Sequence, residues 1–144
     1  MFNIAVFASG SGSNAENLVN HFKDSSVGRV SVILSNKKDA YVLQRAERLG
    51  IPSATFTYKE FQDPKVILSI MDEYHIDFVI LAGFLLKVPE YLLERYPDRI
   101  LNVHPALLPK FGGKGMYGEH VHQAVIAAKE KQSGITIHVI DQNY

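Results

Sequence analysis

The stretch FNIAVFASGSGSNAENLVNHF, residues 2–22, decides the fold because a strand, a glycine-rich turn and an amphipathic helix follow one another directly. Phe2 to Ala8 is a short apolar run typical of a buried strand. Ser13 is predicted to cap the next helix, with Glu16 reaching back as the second member of an S-x-x-E capping box. The apolar face of this helix is formed by Leu18, Val19 and Phe22.

The same succession repeats along the chain. Further strands are predicted at Arg29 to Leu34, Ser53 to Tyr58, Phe78 to Leu81, Ile100 to Val103 and Ile135 to Ile140. Helices are predicted from an Asp39 cap to Gly50, from Asp63 and Pro64 onward, from Pro89 through Tyr96, and around Val121, Val125 and Ile126. This alternation predicts one α/β domain over residues 1–144, with an open, mainly parallel, Rossmann-like sheet and helices on both faces.

Composition excludes several classes of protein. The 144 residues are 47% hydrophobic and contain no cysteine, so we expect a single cytoplasmic domain without disulfides or thiolate metal sites. Fifteen basic and fifteen acidic side chains cancel, which argues against nucleic acid as a partner. The longest apolar run, Phe78 to Leu86, is shorter than the roughly 20 residues of a membrane span. No group of residues has metal-ligand spacing, and nothing indicates an oligomeric state.

Ser9 to Asn14 follows the first strand, at the end of the sheet where α/β proteins bind ligands. Its glycines allow close backbone approach and its helix N-terminus favours an anion, so a phosphate site is predicted. The segment also fits a loose G-x-G-x-x-G/A dinucleotide pattern. Asn36, Lys37 and Lys38 stand where that pattern needs an acid, so only an NADP site is compatible with it. An ordinary Ser/Gly turn is the structural alternative.

Asn102 and His104 lie two residues apart at the end of the fifth strand, so both positions share one face. An amide and an imidazole there can stabilise an oxyanion and exchange a proton; a purely structural hydrogen-bonded pair is the alternative. Thr136 and His138 share a face of the sixth strand and are expected to support His104. The remaining histidines are expected on the surface: His21, His75, His120 and His122.

These segments, with Leu81-Ala82-Gly83-Phe84 and the run from Leu101 to Pro109 that contains N-x-H-P-x-x-L-P, resemble the phosphoribosylglycinamide formyltransferases, a group of folate-dependent formyltransferases. The resemblance covers essentially the whole chain, including Gly115 to Gly118 and Gly134 to His138. It implies transfer of a formyl group from 10-formyltetrahydrofolate to the amine of glycinamide ribonucleotide, in purine biosynthesis. Neither reactant requires a metal.

The resemblance also implies roles for individual residues. Asn102 and His104 match the catalytic pair of the family, and Gly12, Ser13 and Asn14 match the loop that holds the ribonucleotide phosphate. The wall of the folate pocket is matched by Leu81, Phe84, Leu85, Leu86, Lys87 and Val88. Many relatives have an arginine where Leu86 stands, so folate contacts are expected to differ in detail.

The family has a catalytic aspartate in a D-x-G element that would come just after Tyr144. Asp141 stands too early to match it, so we expect this chain to correspond to the N-terminal two-thirds of the family domain. A chain that ends at Tyr144 is expected to bind ligand weakly and not to turn over. Two other functions stay open at this point: a non-catalytic domain that binds phosphate and folate, and an NADP-dependent oxidoreductase.

Overall fold

A computed structural model describes residues 1–104 and 136–140 of the chain. The strands are β1 Phe2–Phe7, β2 Gly28–Ser35, β3 Ser53–Thr55, β4 Phe78–Ala82, β5 Ile100–His104 and β6 Thr136–Val139. The helices are α1 Ser13–Phe22, α2 Tyr41–Leu49, α3 Tyr58–Phe61, α4 Pro64–Glu73 and α5 Glu90–Arg95. The six strands form one sheet in the order β3-β2-β1-β4-β5-β6. Only β6 pairs antiparallel, with β5, so the predicted open and mainly parallel α/β sheet is confirmed.

Both faces of the sheet are covered, as predicted. Ile4 and Val6 point to one side, where α1 and α2 pack with Leu18, Phe22 and Val42. Their neighbours on β1 belong to the opposite cluster, which is formed with α3, α4 and α5 and includes Ala5, Phe7, Phe61, Ile67, Met71 and Leu92. Every residue of β4 is buried, as expected of a central parallel strand. The sheet therefore leaves mainly its strand ends open to ligands.

Two predicted helix ends are confirmed. Asp63 caps α4 by accepting a 3.0 Å hydrogen bond from the Lys65 N–H, and Pro64 is the first helical residue. Gly50 ends α2 in the left-handed conformation, with φ of 74°. Both signals are local, because each depends on the backbone geometry of one residue rather than on distant contacts.

Two predicted caps are wrong. Gly12 is the N-cap of α1, Ser13 is already helical, and the N-cap makes no side-chain hydrogen bond. Glu16 does not reach back to form a capping box, because its carboxylate accepts hydrogen bonds from Arg45 and Arg48 of α2. At α2 the N-cap is Ala40 rather than Asp39, again without a side-chain bond.

The third strand is shorter than predicted. It ends at Thr55, and of the residues predicted to extend it Thr57 is the N-cap of α3 and Tyr58 its first residue. The helix begins with a capping box between Thr57 and Glu60. The Glu60 N–H donates to Thr57 Oγ1 at 3.1 Å, and the Thr57 N–H donates to Glu60 Oε1 at 2.8 Å. The predicted helix around residues 121–126 lies outside the described residues, and the single-domain prediction stays a prediction. No helix within the described ranges is long and apolar enough to cross a bilayer.

Candidate active site

The order of the strands locates a crevice. The chain runs from β1 outward through β2 to β3, then returns to the other side of β1 to form β4 and β5. At such a switch point the loops after the two central strands diverge, and α/β sheets bind ligands between them at the carboxyl ends. Here those loops are Ser9 to Gly12 after β1 and Gly83 to Val88 after β4. Both were predicted from sequence as substrate segments.

The loop after β1 packs closely onto α2. Gly12 adopts a φ of 78°, and a Cβ placed on it would lie 2.3 Å from Cγ2 of Val42. The Gly10 carbonyl accepts a 3.1 Å hydrogen bond from the Val42 N–H. The Ser11 carbonyl accepts a 2.6 Å bond from Arg45 Nε. Close approach and left-handed geometry together require glycine at position 12.

The surroundings of this loop suit an anion. The first N–H groups of α1 have no intrahelical partners, and the helix dipole adds positive potential there. Ser13 is exposed and Asn14 half-buried at this helix start. The Arg45 guanidinium also binds Glu16 at 2.6 Å, and this bond holds the pKa of the Glu16 carboxyl below its ordinary value. Gly12, Ser13 and Asn14 therefore lie together at an open helix N-terminus.

The predicted folate segment divides into buried and exposed side chains. Leu81 and Val88 are each only 2% exposed and belong to the core. Phe84 and Leu86 are half-buried against the same cluster, with the Phe84 ring 5.4 Å from the ring of Phe7. Leu85 is 70% exposed, and Lys87 is exposed too. Leu85 and Lys87 are therefore the most accessible side chains of this segment, whereas Leu81 and Val88 lie in the core beneath it.

The two loops are hydrogen-bonded to each other through Ser9, a linking role that the sequence did not predict. Ser9 is only 4% exposed, and its N–H donates to the Gly83 carbonyl at 3.2 Å. Its hydroxyl accepts a 2.9 Å bond from the Leu85 N–H and lies 2.6 Å from Oδ1 of Asn36. Ser9 occurs in a serine-rich turn where several hydroxyls look alike in sequence, so only burial distinguishes it.

The backbone brings the predicted catalytic and supporting positions together. Within the sheet Asn102 pairs with Leu81 on one side and with His138 on the other. His104 pairs with Thr136 in the antiparallel ladder. The prediction that the sixth strand runs beside the fifth is confirmed. Asn102 is half-buried, next to the first residue of the predicted folate wall.

Cavity size does not by itself locate the site. A cavity of about 500 Å³ adjoins the segment after β4 and is lined by Tyr58, Gln62, Lys87, Val88, Pro89, Glu90 and Leu93. A larger one, about 670 Å³, lies at the opposite end of the sheet among residues such as Lys23, Arg29 and His75, where no predicted site residue lies. We place the site at the switch point because strand order and loop geometry are set by the backbone, whereas cavity volumes depend on how individual side chains are arranged.

The described residues contain no group of three or more His, Cys, Asp or Glu placed to hold a metal ion. His21 and His75 are exposed, as expected. His120, His122 and the segments Pro105 to Pro109, Gly115 to Gly118 and Asp141 to Tyr144 lie outside the described residues.

The sequence profile of the formyl transferase family matches residues 2–144. The chain belongs to the formyl transferase family. A curated relative, the chloroplastic phosphoribosylglycinamide formyltransferase of Arabidopsis thaliana, is 43% identical over 98% of this chain. The chain spans 50% of that relative's length.

Solved structures agree with this membership. Glycinamide ribonucleotide transformylase 1 from Geobacillus kaustophilus superposes with a TM-score of 0.73 at 32% identity, covering 99% of this chain and 76% of that one. Phosphoribosylglycinamide formyltransferase from Streptococcus pneumoniae TIGR4 gives a TM-score of 0.70 at 38% identity, covering 98% and 74%. The α/β fold of this formyl transferase chain is therefore the fold of these enzymes.

Proposed function

We propose that this formyl transferase moves a formyl group from 10-formyltetrahydrofolate to the amine of glycinamide ribonucleotide. The observation that carries the proposal is the pair of loops at the switch point: an open helix N-terminus after β1 stands beside a largely apolar segment after β4. A phosphorylated acceptor and a donor with ring systems that can lie against apolar side chains need two such surfaces next to each other. The names of the relatives support the choice of acceptor.

In the proposed complex the ribonucleotide phosphate binds the N–H groups and side chains of Gly12, Ser13 and Asn14. The folate lies against the segment from Leu81 to Val88, with Leu85 and Lys87 as its exposed contacts. The acceptor amine and the formyl carbon then meet near the end of β5, which adjoins β4 in the sheet. The ribonucleotide phosphate is thus placed at the end of β1, the folate at the end of β4, and the reacting atoms at the end of β5.

The reaction forms a bond between the glycyl nitrogen and the formyl carbon and breaks the bond from that carbon to the folate nitrogen. The amine loses a proton and the departing folate nitrogen gains one. In the tetrahedral intermediate the formyl oxygen carries the negative charge. Asn102 donates a hydrogen bond to that oxygen, and His104 stabilises it and exchanges the proton, with Thr136 and His138 supporting the imidazole.

The test is a transfer assay on the full-length protein that follows release of tetrahydrofolate with and without glycinamide ribonucleotide. We expect release that depends on the ribonucleotide, together with the formylated product. Asn102→Ala and His104→Ala should each lower turnover by ~10²–10³, the typical cost of losing one donor to a transition-state oxyanion. Matched controls are Asn20→Ala and His21→Ala, which change exposed side chains near the far end of α1.

Other outcomes would assign other functions. Release of tetrahydrofolate at the same rate without the ribonucleotide would indicate hydrolysis of the donor and overturn the proposed acceptor. Binding of both ligands without any transfer would indicate a binding domain. A rise in melting temperature with NADPH, and none with either substrate, would indicate the dinucleotide site that the glycine pattern also allows.

A further inference from the structure

We propose that Ser9 is a positioning residue whose hydroxyl holds the predicted folate segment, Leu81 to Val88, in register with the predicted phosphate loop, Gly10 to Asn14. The inference rests on the proposed function. It is carried by the buried contacts of one side chain at the switch point, where three strand ends converge: Ser9 itself follows β1, Asn36 follows β2, and Leu85 follows β4.

The Ser9 hydroxyl both donates and accepts a hydrogen bond. Its oxygen lies 2.6 Å from Asn36 Oδ1, to which it donates, and 2.9 Å from the Leu85 nitrogen, from which it accepts. A hydroxyl has a single proton, so donation to Asn36 turns its lone pairs toward Leu85. Asn36 therefore orients the group that fixes the folate segment, although Asn36 itself lies in the loop after β2.

Leu85 has little packing of its own to hold it in place. Its side chain is 70% exposed, and the residue two positions before it, Gly83, has a φ of 69°. Leu85 is bounded by two half-buried neighbours, so its backbone position decides how the exposed side chain meets a ligand. The hydrogen bond from its N–H to a nearly inaccessible hydroxyl supplies the constraint that packing does not.

The two proposed substrate surfaces are therefore held in position relative to each other before either ligand binds. Ser9 immediately precedes the glycines of the phosphate loop, and its own N–H bonds the Gly83 carbonyl at 3.2 Å. A displacement of the segment after β4 relative to the loop after β1 must break this pair of bonds. Ser9 acts through Leu85, without touching either substrate.

The experiment measures dissociation constants for tetrahydrofolate and glycinamide ribonucleotide, together with amide hydrogen exchange at Leu85. Ser9→Ala removes one oxygen and adds nothing, so the fold is expected to persist. The tetrahydrofolate constant should rise roughly 2- to 10-fold, the range for one neutral hydrogen bond, and Leu85 should exchange faster, while the ribonucleotide constant changes less than about twofold. Ser31→Ala is the matched control, because it removes a half-buried hydroxyl bonded to Asn3 at the other end of the sheet.

Variants of Asn36 separate positioning from general loss of structure. Asn36→Asp keeps an oxygen acceptor and should bind tetrahydrofolate like the wild type, whereas Asn36→Ala should weaken binding. The double variant Ser9→Ala with Asn36→Ala should be no weaker than Ser9→Ala alone, because both act through one hydrogen-bond chain. Strictly additive losses of tetrahydrofolate affinity would overturn the proposed hydrogen-bond chain from Asn36 through Ser9 to Leu85.

Failure of this inference is distinguishable from failure of the proposed function. If the wild-type protein binds no tetrahydrofolate, the proposed function fails. If the wild type binds it and Ser9→Ala binds it equally well, the positioning role alone is overturned. Unchanged exchange at Leu85 in Ser9→Ala overturns it in either case, since that readout needs no substrate.

Discussion

Gly12→Ala tests the geometry of the phosphate loop at its tightest point. Alanine in the left-handed conformation costs roughly 1–2 kcal/mol. The added Cβ would also lie 2.3 Å from Cγ2, 2.6 Å from Cβ and 2.9 Å from Cα of Val42, so α2 must move away. Such overpacking costs roughly 1–3 kcal/mol. The free energy of unfolding should therefore fall by about 2–5 kcal/mol, and the loop should lose the shape that is proposed to bind phosphate.

Gly50→Ala is the matched control. Its φ of 74° is close to that of Gly12, but no heavy atom lies within 4 Å of an added Cβ. It should lose about 1–2 kcal/mol, from backbone conformation alone. The smaller unfolded-state entropy of alanine affects both variants alike, so the difference between them measures the contact with Val42.

Denaturant unfolding gives the two free energies by linear extrapolation, and titration with glycinamide ribonucleotide gives the dissociation constants. We expect Gly12→Ala to lose about 1–3 kcal/mol more than Gly50→Ala and to bind the ribonucleotide more weakly, while Gly50→Ala binds normally. Equal losses of stability would refute the reasoning about Val42. A destabilised Gly12→Ala with unaltered ribonucleotide binding would refute the phosphate assignment of the loop.

Three further predictions follow from the helix starts and their charges. Because Ser13 makes no capping bond, Ser13→Ala should leave the unfolding free energy nearly unchanged and raise the ribonucleotide dissociation constant, as unfolding and titration together would establish. Asp63→Ala removes the bond from the Lys65 N–H and should cost about 0.5–2 kcal/mol in denaturant unfolding with substrate binding intact. The Glu16 pKa lies below its ordinary 4.5 because of the hydrogen bond from Arg45, so this carboxylate stabilises the fold above pH 4.5, and the stabilisation disappears as pH falls through the lower folded value. The melting temperature of Glu16→Gln should accordingly be lower than wild type at pH 7, and the gap should close below pH 4.5; a gap independent of pH would contradict the ion pair.

The sheet could be predicted because its signals are local and strong. Phe2–Phe7 and Phe78–Ala82 are short apolar runs, and central parallel strands buried on both faces have that pattern. Asp63 with Pro64, and Gly50, mark helix ends through their own backbone chemistry. Parallel strands put the loops that follow them at one end of the sheet, so both predicted substrate segments could be placed there without knowing the strand order.

The errors arose where distant contacts override local patterns. Ser13 and Glu16 fit a capping box in sequence. The Glu16 carboxylate instead accepts a hydrogen bond from Arg45, which lies 29 residues away along the chain. Thr57 and Glu60 carry the same local signal and do form the box, because the carboxylate bonds back to the helix start. A motif of four residues cannot distinguish the two cases.

The linking role of Ser9 was missed for the same reason. Its hydroxyl partners are 27 and 76 residues away, and no spacing in the sequence connects them. Resemblance to a family carries over residues that touch substrate, whereas a buried hydroxyl that positions them has no motif. Its role emerges only when burial and hydrogen bonds are read together at the strand ends.

The most direct test of a two-substrate site at the strand ends is an amide chemical-shift titration of the ¹⁵N-labelled protein with each substrate in turn. Glycinamide ribonucleotide should shift the amides of Gly12, Ser13 and Asn14, and tetrahydrofolate should shift those from Leu85 to Lys87. Shifts confined to the cavity at the opposite end of the sheet, around Lys23 and Arg29, or no shifts with either ligand, would contradict the account.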